Sequence, residues 1–145
     1  MQEYWLNDDG TSEELWEHEW ATHGTCYSTL EPSCFTDYTT GDEAVAFYET
    51  VVSLFKTLPT YQWLADSNIT PSDSQTYEWA DVEAALIKNG NGLTPMVTCD
   101  SGSIGAISWY FNVKGSLVDG DFVAIDSPEA STCSGSVKYP TKSSS

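Results

Sequence analysis

The sequence predicts an α+β fold, with helices packed on a small antiparallel sheet. Three observations predict it: apolar residues recur at helical steps as far as Lys88, the pattern turns extended after Pro95, and Gly- and Pro-rich turns separate the two regimes. Taken in order, Thr11-Ser12-Glu13-Glu14 is a capping box, in which the Thr11 hydroxyl accepts from the Glu14 amide and the Glu14 carboxylate accepts from the Thr11 amide. A helix is therefore expected from about residue 12. His23-Gly24 reads as its end, with Gly24 in the left-handed C-cap conformation. From Asp42 to Leu58, Ala44, Phe47, Tyr48, Val51, Leu54, Phe55 and Leu58 repeat at three- and four-residue steps, an amphipathic helix that Pro59 stops. A turn-rich loop follows, with one helical turn near Trp63. Trp79 to Lys88 then repeats the helical pattern on Trp79, Val82, Ala85 and Leu86 until "NGNG" ends it.

Beyond Pro95, "MVTC", "AISWYFNV" and "DFVAI" are rich in β-branched and aromatic residues, and turns at Asp100 to Gly102 and Lys114 to Gly120 divide them. They read as an antiparallel meander, and the closing "KYPTKSSS" as a loose tail. There is no internal repeat and no composition shift that would mark a domain boundary.

A content of 40% hydrophobic and 13% aromatic residues in 145 positions is far from the depleted composition of disordered chains, and the length suits one domain with a real core. Against 22 Asp and Glu stand 5 Lys and Arg, a formal charge of −17. Such a surface opposes a polyanion at neutral pH, because nucleic-acid binders neutralise phosphates with cations. Near their reference pKa of about 4 the carboxylates lose that charge, while histidines, with a reference near 6.5, become cationic. A protein working in acid, secreted or vacuolar, reconciles the two. Cys26, Cys34, Cys99 and Cys133 have no zinc-ligand spacing, so they read as structural disulfides, which suits an oxidising compartment. Asn68-Ile69-Thr70 is a glycosylation sequon and points the same way. No apolar run reaches the roughly 18 residues that span a bilayer, and "MQEYWLNDDG" lacks the basic and apolar regions of a signal peptide.

Both histidines of the chain lie in "LWEHEWATHGTC". On a helix His18 and Thr22 are four apart, as are Glu19 and His23, so the four share one edge. Two imidazoles and a carboxylate there can perform general acid–base chemistry without a cofactor. Alternatively, Glu19 and His23 are only a solvated surface pair. A zincin site is excluded by spacing, since the histidines are five apart rather than four and no third histidine exists, so no metal is expected. No GxSxG stretch provides a nucleophile.

The stretch from Trp16 to Cys26 resembles the second active-site segment of the ribonuclease T2 family, WEHEW-x-K-HGTC, and departs from it only at Thr22. The upstream "YW", the Cys26 and Cys34 spacing, "VVSLFKTLPTY", "ITPS", and "CD" leading to "WYFNV" resemble fungal members, so the similarity covers essentially the whole chain. It implies an endoribonuclease that cleaves single-stranded RNA by attack of the ribose 2'-hydroxyl on the adjacent phosphate, giving a 2',3'-cyclic phosphate. RNA brings its own nucleophile, so a base, an acid and charge stabilisation suffice. The resemblance assigns His23 as the base toward the 2'-hydroxyl, His18 as a phosphate holder and Glu19 as its polarising neighbour. Trp16 and Trp20 read as packing residues.

Two departures qualify it. Thr22 replaces the lysine of the pattern and brings no positive charge. The family's first active-site segment, of WPxxHGLW type, is not in this sequence, so residues 1–145 are expected to be the carboxyl-terminal portion of a single T2-like domain, holding half of the active site. By the same resemblance Cys99 pairs with Cys133. Cys26 and Cys34 would bond to the amino-terminal portion, and without it they are free, paired with each other, or joined to a second chain. The rival expectation is a secreted binding protein on this scaffold, weak or inactive as a catalyst, which Thr22 and the acidic charge favour.

Overall fold

The computed structural model describes residues 4–7 and 10–142. Met1 and the serines that close the "KYPTKSSS" tail lie outside the described residues. Helix α1, Ser12–Thr22, begins at Thr11, whose extended backbone and side chain complete the capping box: the Thr11 N–H donates to Glu14 Oε2 at 2.9 Å and the Glu14 N–H donates to Thr11 Oγ1 at 3.3 Å. The chain divides into two compact units, one comprising the residues up to Thr57 with Val113–Phe122, the other Leu58–Asn112 and the residues from Val123.

In the first unit, three single 3₁₀ turns, Gly24–Cys26, Ser28–Leu30 and Pro32–Cys34, follow α1 and lead to α2, Asp42–Lys56. Gly24 is not in the left-handed region. It opens the first 3₁₀ turn and is buried, so the expected C-cap role is replaced by one of space. The core is Leu30, Phe47 and Leu117, flanked by Trp5, Trp20, Phe35, Tyr48, Val51 and Phe122. Thr29 and Thr50 fasten Leu117 on either side: the Leu117 N–H donates to Thr29 Oγ1 at 3.1 Å, and Thr50 Oγ1 donates to the Leu117 carbonyl at 3.3 Å.

In the second unit, α3, Thr60–Ala65, is the expected turn near Trp63, and α4 spans Trp79–Asn89. The strands are β1, Thr76–Glu78; β2, Met96–Asp100; β3, Ser103–Ser108; β4, Tyr110–Lys114; β5, Asp121–Ile125; and β6, Ser136–Lys138, of which β4 and β5 belong in part to the first unit. One sheet has the order β1-β6-β3-β2, and β4 with β5 forms a separate two-stranded sheet. The β2–β3 hairpin turns at Ser101 and Gly102, φ 50 and 78, the pair of left-handed residues that a two-residue hairpin loop needs. Leu64, Val82, Leu86, Val97 and Val137 fill the core of this unit, and a disulfide joins Cys99 to Cys133.

The α+β class stands, with three corrections to its β part. The larger sheet is mixed, because β3 runs parallel to β6 with Ser103 opposite Lys138. The run "AISWYFNV" is interrupted at Trp109, so its halves belong to different sheets; the Trp109 ring instead meets Trp63 edge-on at 5.6 Å. The segment read as a loose tail is held as far as Thr141: Lys138 pairs with Thr76 and its N–H donates to the Gly102 carbonyl at 2.8 Å, the Ser72 N–H donates to the Tyr139 carbonyl at 2.7 Å, and the Thr141 side chain bonds Asp73.

Candidate active site

α1 buries no residue completely, and tertiary contacts hold it along one side. Trp16 Nε1 donates to the Trp5 carbonyl at 2.8 Å, the Tyr48 hydroxyl donates to the Trp16 carbonyl, and the Trp20 ring meets Phe47 edge-on at 5.8 Å. Both tryptophans are thus half-buried packing residues. His18, Thr22 and His23 are exposed and Glu19 is half buried.

His23 is the C-cap of α1, its N–H donating to the Glu19 carbonyl at 2.9 Å. Its Nε2 lies 3.9 Å from Glu19 Oε2, an i,i+4 ion-pair distance too long for a hydrogen bond. With the His23 side chain 60% exposed, the pair contributes little to stability. The chain then tightens: the Cys26 N–H donates to the His23 carbonyl at 3.1 Å and Thr25 Oγ1 to the Ala21 carbonyl at 3.0 Å. His18 and Glu19 lie on α1 and His23 caps its end, with Glu19 and His23 the pair brought together. Among the described residues, no group of three or more His, Cys, Asp or Glu is placed to hold a metal ion.

Tyr48 was legible in the sequence only as one apolar position of α2, yet it backs the site. Burial raises its phenol above the ordinary value, the Trp20 amide opposes that shift, and the Glu19 carboxylate adds to it. No local pattern could have revealed this, since Tyr48 reaches α1 across 32 positions. Cys26 and Cys34 are both free thiols and exposed.

The structure is thus an α+β scaffold with a surface imidazole–carboxylate pair and a second exposed imidazole. The chain belongs to the ribonuclease T2 family, whose sequence profile matches residues 1–120. It is 51% identical over 146 residues to ribonuclease Le2 of Lentinula edodes, covering 98% of this chain and 61% of that one. It is 48% identical over 148 residues to ribonuclease M of Aspergillus phoenicis, covering 100% of this chain and 62% of the other. Among solved structures, that of Actibind, a T2 ribonuclease, superposes with a TM-score of 0.93 at 47% identity, over 99% of this chain and 62% of that one. Trichomaglin, an S-like ribonuclease, shares the fold at 24% identity and a TM-score of 0.66. The chain thus spans about three-fifths of the length of ribonuclease Le2, ribonuclease M and Actibind.

Proposed function

We propose that this chain is the carboxyl-terminal portion of a secreted or vacuolar T2-type endoribonuclease, forming one domain with an amino-terminal portion and supplying half of its active site. The observation that carries the reading is the approach of His23 Nε2 to Glu19 Oε2, 3.9 Å, at the end of the helix on which His18 is also exposed. In single-stranded RNA, His23 takes the proton of the ribose 2'-hydroxyl as its oxygen attacks the adjacent phosphorus. The P–O5' bond breaks, and the departing 5'-oxygen takes a proton from an acid supplied by the rest of the protein. His18 holds the phosphate, and Glu19 helps to polarise it and positions its neighbours. No cofactor or metal enters this scheme. The Cys99–Cys133 disulfide and the exposed sequon residue Asn68 support an oxidising, secretory environment, and Cys26 and Cys34 are the thiols through which the amino-terminal portion would be linked. The described residues form no helix long and apolar enough to cross a membrane.

The reading is tested on poly(U) at about pH 5, where carboxylate charge is reduced, with 31P NMR to detect the cyclic phosphate. The chain combined with the remainder of a T2 ribonuclease should cleave, and His23→Ala should lower the rate by a factor of about 10² to 10⁴. Strong cleavage by the chain alone, lost in His23→Ala, would remove the two-part reading. No cyclic phosphate from the combined protein would overturn catalysis and favour the binding-protein alternative, which Thr22 at the family's lysine position supports.

A further inference from the structure

Asn68 occupies a backbone position that glycine fills at lower cost, and its side chain serves no bond. Past the end of α3, the Asn68 N–H donates to the Ala65 carbonyl and the Ile69 N–H to the Leu64 carbonyl, both at 2.9 Å, and Asn68 has φ 60. These are the two bonds of a Schellman motif, whose left-handed residue is usually glycine and whose apolar pair, here Leu64 and Ile69, is buried. The motif needs only the backbone of residue 68. The Asn68 side chain is exposed and makes no hydrogen bond among the described residues. The rest of the Asn68-Ile69-Thr70 sequon is held in place: the Tyr77 hydroxyl donates to the Thr70 carbonyl at 2.7 Å and accepts from the Thr70 N–H at 3.1 Å. Asn68 also lines a groove of about 580 Å³ between α4 and the edge strand β1, a volume within the range of small-molecule sites. Ala84 and Ala85 line it along α4, and Glu78, Asp81 and Lys88 add charged groups without an ion-pair partner among the described residues. Two carboxylates against one ammonium do not suit an anion. A neutral, hydroxyl-rich ligand can donate to both carboxylates and lay its apolar faces on the alanines.

We propose that Asn68 is N-glycosylated and that the first two N-acetylglucosamine residues of the glycan lie in this groove, as a packed part of the unit. In the transfer, the Asn68 amide nitrogen attacks C1 of the sugar of a lipid-pyrophosphate-linked oligosaccharide. The N–C1 bond forms, the C1–O bond breaks with its electron pair leaving on the lipid pyrophosphate, and the nitrogen gives up one proton. A sugar tethered at the groove has an effective concentration there that a free sugar lacks, so weak hydroxyl contacts suffice to seat it. Occupancy of Asn68 requires the secretory route of the reading above and nothing of its catalysis.

The test compares the 145-residue chain secreted by a yeast with the same chain made in a bacterium that attaches no such glycan. Peptide mapping by mass spectrometry should find hexosamine and hexose on the peptide carrying Asn68 in the secreted protein. Endoglycosidase H, which cuts between the first two sugars, should act at least tenfold more slowly on the native secreted protein than on the unfolded one. Ala84→Arg puts a good helix former at an exposed position of α4 and intrudes on the groove, so it should remove most of that difference with circular dichroism unchanged. Glu78→Gln with Asp81→Asn should reduce the difference without added bulk. Asn68→Gly keeps the left-handed turn and removes the acceptor. It should lower the melting temperature of the secreted protein by about 2–4 °C and leave that of the bacterial protein unchanged or raised. A secreted protein without sugar at Asn68 overturns the proposal. So does a glycan cut equally fast from native and unfolded protein, since it then stands free in solvent. Cleavage that stays slow in both groove variants also overturns it, by placing the protection elsewhere. A protected glycan on a protein without ribonuclease activity upholds the groove and removes the catalytic reading instead.

Discussion

Gly24 lies so close under Trp20 that a methyl group at its α-carbon would stand 2.2 Å from the ring's Cε3 and 2.6 Å from Cζ3. The glycine is required because the indole closes over the end of α1, next to His23, and a rigid ring in a packed site cannot yield by that much. Gly24→Ala is therefore expected to cost about 1–3 kcal/mol, the usual range for overpacking. If the contact is the cause, Trp20→Leu should recover part of that loss in a double-mutant cycle by urea denaturation. Strict additivity of the two substitutions would show that the glycine serves some other purpose.

The capping box makes α1 sensitive to acid. The Thr11 N–H and hydroxyl hold the Glu14 carboxyl below its ordinary value, so its folded pKa is depressed. The resulting stability is present above the unfolded pKa and is lost as pH falls through the folded one. Thr11→Ala should cost about 1 kcal/mol at neutral pH. Glu14→Gln should flatten the decline of stability below about pH 4.5. Parallel acid unfolding curves for wild type and Glu14→Gln would remove Glu14 from the explanation.

Tyr48 sets the alkaline side. Burial raises its phenol above 10.0, and Tyr38 and Tyr139 are raised chiefly by the same cause. A raised folded pKa gives stability that is complete below the unfolded value and is lost as pH rises through the folded one. Absorbance titration of the phenolates should show a late-titrating class that shrinks by one in Tyr48→Phe. Losing its bond to the Trp16 carbonyl should cost about 0.5–1.5 kcal/mol. A Tyr48→Phe protein with unchanged stability would mean that the ring alone, and not the hydroxyl, holds α1.

The disulfide joins positions 34 apart in the second unit. On the chain-entropy model, closing such a loop is worth about 4 kcal/mol at the upper end, so Cys99→Ala with Cys133→Ala should lower stability by about 2–4 kcal/mol. Thiol titration of the native chain should find two reactive groups, Cys26 and Cys34, and four after reduction in denaturant. Four native thiols would contradict the bridge.

The helices α2 and α4 were legible because each repeats a 3.6-residue period over many positions, and the Glu19–His23 approach was legible because the two lie four apart at the end of α1. What escaped the sequence depends on contacts between distant residues. β1 and β6 are three residues each, too short for alternation to register, and they exist because Tyr77 and Val137 meet in the core. The parallel step of β3 to β6 joins residues 35 positions apart, Ser103 and Lys138. "HG" signals a helix end equally well whether the glycine supplies positive φ or merely room, and only the position of Trp20 decides between them.

Thr22 is the point at which this helix departs from the family pattern, and it offers the most direct probe of the proposed chemistry. It is exposed in the last turn of α1, four positions after His18, and that turn contains no basic residue. Thr22→Lys should therefore be neutral or slightly stabilising, since a cation complements the helix C-terminus by about 0.3–1 kcal/mol. In the assembled ribonuclease its ammonium would reach the edge shared by His18 and His23, where the phosphorane gathers charge. A donor that acts only on that developing charge raises kcat and leaves KM almost unchanged, by analogy with oxyanion donors worth about 2.7–4 kcal/mol. The expected result on poly(U) is a kcat increased tenfold or more. A fall in KM alone would place the lysine on the ground-state phosphate. An active protein indifferent to Thr22→Lys would mean that a cation from elsewhere already fills the role, and the −17 chain would then owe its charge stabilisation to the polypeptide docked beside it.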